Sequence, residues 1–246
     1  MTDMSGKVAL VTGASSGLGA AVAQLLGERG ATVFGVARDE HRLAAVFEHI
    51  PGGRYALADI AGPAECRAAV TRCVTELGRL DTLINVAGQH AMRHTADVTD
   101  EEWERDLAVN LNGPFHLSRA ALPHLLETGG SIVNVASIAG IEGQAYSAGY
   151  CAAKHGLVGL TRALAVEFTA TQLRVNAVCP GGMLTPQVTG FTLPDGADPN
   201  LVMRVASPRG LSEPAAVAKL VAFLAGDDAA AIHGAIYTAD NGKTAG

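Results

Sequence analysis

The chain predicts an α/β architecture: a doubly wound parallel sheet of seven strands with helices on both faces. Three observations carry that expectation. Short apolar runs of strand type alternate with helical patterns from end to end, which calls for right-handed crossovers between parallel strands. Hydrophobic residues make up 48% of the chain but aromatics only 4%, so Ala, Val, Leu, Ile and Gly must do the packing, as suits strands covered on both faces. No linker, repeat or low-complexity tract interrupts the 246 residues, so 1–246 is expected to form a single domain.

The first strand is Val8–Thr12, followed by the glycine-rich stretch Gly13–Gly19 and a helix over Ala20–Arg29 that Gly30 closes. Thr32–Val36 is the second strand and Asp39–His49 the second helix. Arg54–Ala58 is a weaker strand. Pro63–Leu77 is a helix, with Pro63 in its first turn and Gly78 after its end. Leu80–Val86 is the fourth strand. A long helix is expected over Asp100–Glu127, bent near Gly113-Pro114. Ser131–Val135 is a buried strand, Gly149–Thr169 a helix, and Arg174–Val178 a strand ending in Cys179-Pro180-Gly181-Gly182. Glu213–Leu224 is the last helix and Ala235–Thr238 the last strand.

The rhythm breaks between Gly182 and Pro214, where four prolines (Pro186, Pro194, Pro199, Pro208) and no evident element occur. A segment this long inside a compact domain is usually functional. It follows a strand's carboxyl end, the edge where open α/β sheets bind ligands. Residues 182–213 are therefore read as a substrate-covering segment rather than a disordered surface loop.

Composition excludes several function classes. A formal charge of -6 argues against nucleic acid or an anionic membrane as partner. No apolar run reaches the roughly 18–20 residues that span a bilayer. The start, Met1 to Gly6, lacks the basic-then-apolar pattern of a secretory leader, so a cytoplasmic location is expected. Cys66, Cys73, Cys151 and Cys179 show no C-x-x-C spacing and are read as reduced and structural.

Thr12-Gly13-Ala14-Ser15-Ser16-Gly17-Leu18-Gly19 lies between the first strand and the first helix. Glycines there let the backbone approach a pyrophosphate, and the helix N-terminus behind them offers free N–H groups and partial positive charge. The Gly-x-x-x-Gly-x-Gly spacing differs from the commoner dinucleotide fingerprint, and alone it also fits a plain structural turn. Cofactor choice falls at the end of the second strand, where an Asp or Glu would bond the ribose hydroxyls of NAD. The chain instead reads Val36-Ala37-Arg38-Asp39. Arg38 can pair with a 2′-phosphate, and Asp39 is expected to cap the next helix. NADP is preferred, with NAD as the alternative.

Tyr150 and Lys154 stand four apart on one helix and so share a face. A phenol with pKa near 10 is a poor base at neutral pH, and an ammonium beside it is expected to lower that value. Ser137 follows a strand's carboxyl end and can donate to a substrate carbonyl. Asn110 lies within the long helix, where propensity disfavours it; the expectation is that its side chain holds a water bridging to Lys154.

With these residues assembled, the chain resembles the short-chain dehydrogenase/reductase family, the subtype of about 250 residues, over essentially its whole length. Gly13, Gly17 and Gly19 match the glycine motif of its Rossmann-type fold, and Asn110, Ser137, Tyr150 and Lys154 match the catalytic tetrad. Asp59 matches the acid that contacts the adenine amino group. Asn85-Val86-Ala87-Gly88 resembles Asn-Asn-Ala-Gly, with Val86 a departure, and Pro180-Gly181 and Thr185 match the segment that grips the nicotinamide carboxamide. The resemblance implies an oxidoreductase that transfers hydride between NADP(H) or NAD(H) and a CH-OH group. Ser15, Ser16, Leu18, Ile60 and Met183 join the implied cofactor contacts, along with Asn85, Ala87, Gly88, Arg38, Tyr150 and Lys154. In the implied reaction Tyr150 exchanges the proton, Ser137 steadies the oxygen, Lys154 holds the nicotinamide ribose and Asn110 sustains a water relay. A homotetramer and no metal are also implied.

The remaining candidates are less constrained. Gln89, His90, Ile138, Ala139, Gln144, Gly182, Leu184 and Phe191 are expected to line the substrate pocket. His90 and His94 have a possible ligand spacing but no evident third ligand, and read as cleft rim or surface. Tyr146 suits either the pocket or the core, while Trp103 and His155 are expected to pack. Two other functions stay open: a 3-oxoacyl-carrier-protein reductase, for which Arg93 and Arg119 offer a little basic surface, and a catalytically silent dinucleotide-binding regulator. The complete tetrad disfavours the second.

Overall fold

The computed structural model describes residues 2–190 and 192–245 and contains one seven-stranded sheet in the order β3-β2-β1-β4-β5-β6-β7. Every neighbouring pair of strands is parallel. The strands are β1 (Val8–Thr12), β2 (Thr32–Ala37), β3 (Arg54–Leu57), β4 (Thr82–Asn85), β5 (Ser131–Val135), β6 (Arg174–Pro180) and β7 (Ile236–Ala239). The strand order reverses between β1 and β4. That reversal opens a crevice at the carboxyl edge, where such sheets take ligands.

The crossovers are α1 (Gly17–Glu28), α2 (Glu40–Phe47), α3 (Pro63–Leu77), α4 (Asp100–Leu107), α5 (Gly113–Thr128), α6 (Ala148–Glu167) and, after two short helices described below, α9 (Pro214–Ala225). One core lies between the sheet and α1, α2 and α9, around Val22, Leu26, Leu43, Val221 and Leu224. The other lies between the sheet and α3, α5 and α6, around Val70, Leu83, Leu117, Leu125 and Leu164. β1, β4 and β5 are buried throughout. Each fully buried Leu or Val of these layers is worth about 1.5–3 kcal/mol of transfer free energy. Arg174, at the start of β6, donates to the carbonyls of Leu224, Ala225, Gly226 and Ala229, and so ties the end of α9 to the sheet.

Three sequence expectations change. The long helix is not one regular α-helix. It widens into a π-turn at Ala108–Asn112, and Pro114 falls in the first turn of α5, where its missing N–H costs nothing. The segment expected to lack structure holds α7 (Pro186–Thr189) and α8 (Pro199–Met203), each with Pro in its first turn, and Met183 bridges to Ser212. Trp103 is no packing anchor: it is 40% exposed on α4, and His155 is exposed as well.

Candidate active site

A cavity of about 1210 Å³ runs along the carboxyl edge, from the glycine turn after β1 to the segment after β6. Its first wall is the turn Gly13–Gly19. Gly17 adopts φ +52, a left-handed conformation that L side chains rarely take, and a Cβ there would lie 3.2 Å from Thr185 Cγ2 on the opposite wall. A Cβ on Gly19 would collide with the Gly13 carbonyl oxygen. Ser16 caps α1 without a side-chain bond, so the first N–H groups of that helix are left for an anion. Ser207 Oγ, which is buried without a partner among the described residues, also borders this cavity. A backbone cradle, an uncapped helix N-terminus and an unspent hydroxyl fit a dinucleotide.

The β2–β3 end is charged. Arg38 lies 3.9 Å from Asp59, whose carboxylate is also held by Arg105 at 2.8 Å. Burial works to raise the Asp59 carboxyl, but the Ala61 amide, Arg105 and Arg38 together keep it below the ordinary value. Asp39 caps α2 as expected: it accepts from the Arg42 N–H at 3.0 Å and pairs with Arg42 Nε at 3.2 Å. Arg42 and Arg105 both border the cavity and are not singled out by the sequence, because no spacing marks a cation that folds in from another helix.

The other end holds the reactive groups. Ser137 follows β5 and opens a short turn, its hydroxyl accepting from the Ala139 N–H at 3.1 Å. Tyr150 and Lys154, on α6, are both buried and both border the cavity. Lys154 Nζ donates to the Val135 carbonyl at 2.9 Å and stands 5.6 Å from the centre of the Tyr150 ring. Burial pushes the phenol up to about 12, against the pull of the Ser137 and Gln187 side chains beside its hydroxyl. Burial likewise draws the ammonium down to about 8. The sequence reading has the amine acidifying the phenol. In the folded chain desolvation is the largest influence on the phenol, and it raises it.

Asn110 is buried. Its amide donates to the Gln89 carbonyl at 2.9 Å and the Asp106 carbonyl at 3.0 Å, and its oxygen accepts from the Gln89 N–H at 3.2 Å. The side chain holds the backbone after β4. That backbone is a junction. Thr12 Oγ1 accepts from the Val86 and Ala87 N–H groups, both at 3.0 Å. Asn85 lies buried behind the cavity and donates to Asn134. His90 borders the cavity as expected: its ring lies over Tyr150 at 4.4 Å, and Nε2 shares a 2.8 Å bond with Ser147. Arg93 pairs with Glu102 and Asp106. His94 bonds the Asp195 carbonyl, and the Tyr146 hydroxyl accepts from the Asp198 N–H, so both tie the 182–213 segment to the body. Tyr146 thus joins neither the pocket nor the core.

Gly13, Ser15, Ser16, Gly17, Leu18, Gly19, Arg38, Asp59, Ile60, Ala87, Gly88, Pro180, Gly181, Met183 and Thr185 all border the cavity, as do Gln89, Ile138, Gln144 and Gly182. Ala139 and Leu184 do not, and Phe191 lies outside the described residues. The sequence missed Gln187, which the folded segment after β6 brings to Tyr150, and Met92, which borders the same cavity from the stretch after β4. Cys66, Cys73, Cys151 and Cys179 are free thiols. Among the described residues, no helix is long and apolar enough to cross a membrane.

Residues 7–193 match the family model described as short chain dehydrogenase. The meso-2,3-butanediol dehydrogenase of Serratia marcescens is 37% identical over 97% of this chain and 95% of its own length. The cis-4-hydroxycyclohexanecarboxylate dehydrogenase of Sinomonas cyclohexanicum is 42% identical, with 97% of each chain covered. The crystal structure of a short-chain type dehydrogenase/reductase from Mycobacterium marinum superposes with a TM-score of 0.89 at 32% identity, covering 99% of this chain and 98% of that one.

Proposed function

The chain belongs to the short-chain dehydrogenase family of oxidoreductases, and from that premise we propose that it interconverts a ketone and a secondary alcohol, with Tyr150 as acid and base. The observation that carries this reading is convergence: the Ser137 hydroxyl, the Tyr150 phenol and the Lys154 amine border the same cavity as the glycine turn. A nicotinamide dinucleotide, when bound, supplies or accepts the hydride. The turn Gly13–Gly19 and the first turn of α1 would hold its pyrophosphate, Asp59 and Ile60 its adenine, and Asn85, Ala87 and Gly88 the wall beneath it. Pro180, Gly181, Met183 and Thr185 would border its nicotinamide, with Lys154 on the ribose.

Ser137 donates to the substrate oxygen and polarises the carbonyl. Tyr150 gives that oxygen its proton in reduction and takes it back in oxidation. A phenol held near 12 keeps its proton at neutral pH, which suits the donor's part. Asn110 serves as a positioning residue, fixing Gln89 and the wall that follows it. Residues 182–213 cover the substrate, tethered through His94 and Tyr146.

NADP is the preferred cofactor. Ala37 leaves no carboxylate at the end of β2, Arg38 is exposed and held only by a long 3.9 Å pair with Asp59, within reach of a phosphate, and the Asp39 charge is taken up by Arg42. A homotetramer is the proposed assembly, supported by exposed Trp103 on α4 and by Phe115 and Leu126 on α5. The carrier-bound 3-oxoacyl reading ranks lower. Arg93 is paired with two acids and Arg119 lies over the Phe115 ring, which leaves little basic surface for an acidic carrier. Incubation with NADPH or NADH and a panel of ketones tests the proposal. The expected result is ketone-dependent loss of reduced nicotinamide. Tight cofactor binding with no oxidation across the panel overturns it in favour of a regulator.

A further inference from the structure

The charges that border the cavity are unevenly placed. At the β2–β3 end Arg38 and Arg105 pair with Asp59, and Arg42 pairs with Asp39. At the Tyr150 end the only charge-bearing side chain among the described residues is Lys154, already committed to the Val135 carbonyl. Arg93, near in sequence, stands behind the wall and is consumed by Glu102 and Asp106. A substrate carboxylate or phosphate would thus lose its water here without meeting a cation, which is a heavy penalty.

What this end offers instead is neutral hydrogen-bonding capacity. His90 is uncharged, since burial, with Arg93 and Lys154, pushes its imidazole down to about 4. Its Nε2 is held by Ser147, and its other ring nitrogen has no bond among the described residues. The Gln187 side chain lies beside the Tyr150 hydroxyl. The Gln144 side chain borders the cavity without a hydrogen bond among the described residues. The surroundings are apolar, with Ile138, Val188 and Leu211. A plain hydrocarbon ketone would strip water from the two amides and the imidazole and return nothing.

We propose that the substrate is an uncharged hydroxy-ketone, or the matching diol, whose second hydroxyl is recognised by His90, Gln144 and Gln187; this rests on the oxidoreductase reading above. Because the Gln187 amide lies against the Tyr150 hydroxyl, the group it serves sits next to the reacting carbon. That second hydroxyl takes no part in the chemistry. In reduction the carbonyl carbon gains the hydride, its oxygen gains the Tyr150 proton, and the cofactor leaves oxidised.

Three ring-matched ketones test the proposal with NADPH and with NADH: 2-hydroxycyclohexanone, cyclohexanone and 3-oxocyclohexanecarboxylate. A site built to bond a hydroxyl discriminates strongly against the analogue that lacks it. The expected kcat/KM for the hydroxy-ketone exceeds that for cyclohexanone by about tenfold or more, with the carboxylate slower still. His90→Phe, which keeps a ring over Tyr150, and Gln187→Leu should each shrink the first ratio towards unity through KM. Turnover of the carboxylate as fast as the hydroxy-ketone, or a ratio that neither substitution moves, overturns the substrate assignment and leaves the oxidoreductase intact. No oxidation of either cofactor with any of the three brings down the oxidoreductase reading itself.

Discussion

At the β2–β3 end of the cleft, five charged side chains pair with one another close to water, whereas at the Tyr150 end a phenol and an amine are buried among neutral neighbours. The contrast separates two uses of electrostatics within one cavity. Charge near solvent is screened, so it selects a ligand by matching sign and is easily retuned. Burial acts on the protonation equilibria themselves. It lifts Tyr150 to about 12 and lowers Lys154 to about 8 without any charged partner changing place.

The contrast can be broken most severely at the buried end. Tyr150→Phe removes the exchangeable proton while keeping the ring under His90, and should lower kcat by about 10³-fold, with cofactor affinity little changed by fluorescence titration. A fall of only a few-fold would take the phenol out of the chemistry. Next in size is the pH response. Alcohol oxidation needs the phenolate, and a raised phenol pKa makes that form scarce at neutrality. Below about pH 8, where Lys154 keeps its charge, oxidation kcat/KM should therefore climb by up to about tenfold per unit, while ketone reduction stays nearly flat. A flat oxidation profile would mean that burial does not set the proton's affinity.

The charged end should respond more gently. Arg38→Ala is expected to cut the NADPH-over-NADH preference by about ten- to a hundredfold, the worth of one charge-assisted hydrogen bond, with kcat almost unchanged. An unaltered ratio would make Arg38 an ordinary solvated charge and sharpen attention on Arg42. Smallest of all is the effect of salt. Going from about 0.05 to about 0.5 M ionic strength should raise KM for NADPH about two- to threefold and leave KM for a neutral ketone alone. Equal sensitivity at both ends would erase the distinction.

Sequence periodicity made the sheet legible because parallel strands buried on both faces need continuous apolar runs, such as Val8–Thr12 and Ser131–Val135. Reactive groups within one element were legible too: Tyr150 and Lys154 share a helix face by spacing alone. What stayed hidden depends on elements meeting from afar. The engagement of Asn110 with Gln89 spans a strand-to-helix connection, His90 lies over a ring sixty residues on, and Gln187 arrives on a four-residue helix that no pattern foretells. The direction of the phenol's shift is hidden for the same reason. A neighbour at plus four is visible in a string of letters, but the depth of its burial is not.

The widened turn at Ala108–Asn112 has an implication for insertions and deletions. Each residue of an α-helix rotates the next by about 100°, so a π-turn holds one residue more than a regular rod needs. Upstream of it Asp106 looks toward Arg93, and downstream Leu117, Ala121 and Leu125 look into the core. Excising one codon here would regularise the ladder and leave those three side chains facing the interior, because the widened turn already absorbs the extra residue. The spare residue leaves the phase of the shaft unchanged, so its loss should fall on the local placement of Val109 and Asn110 rather than on the core beyond.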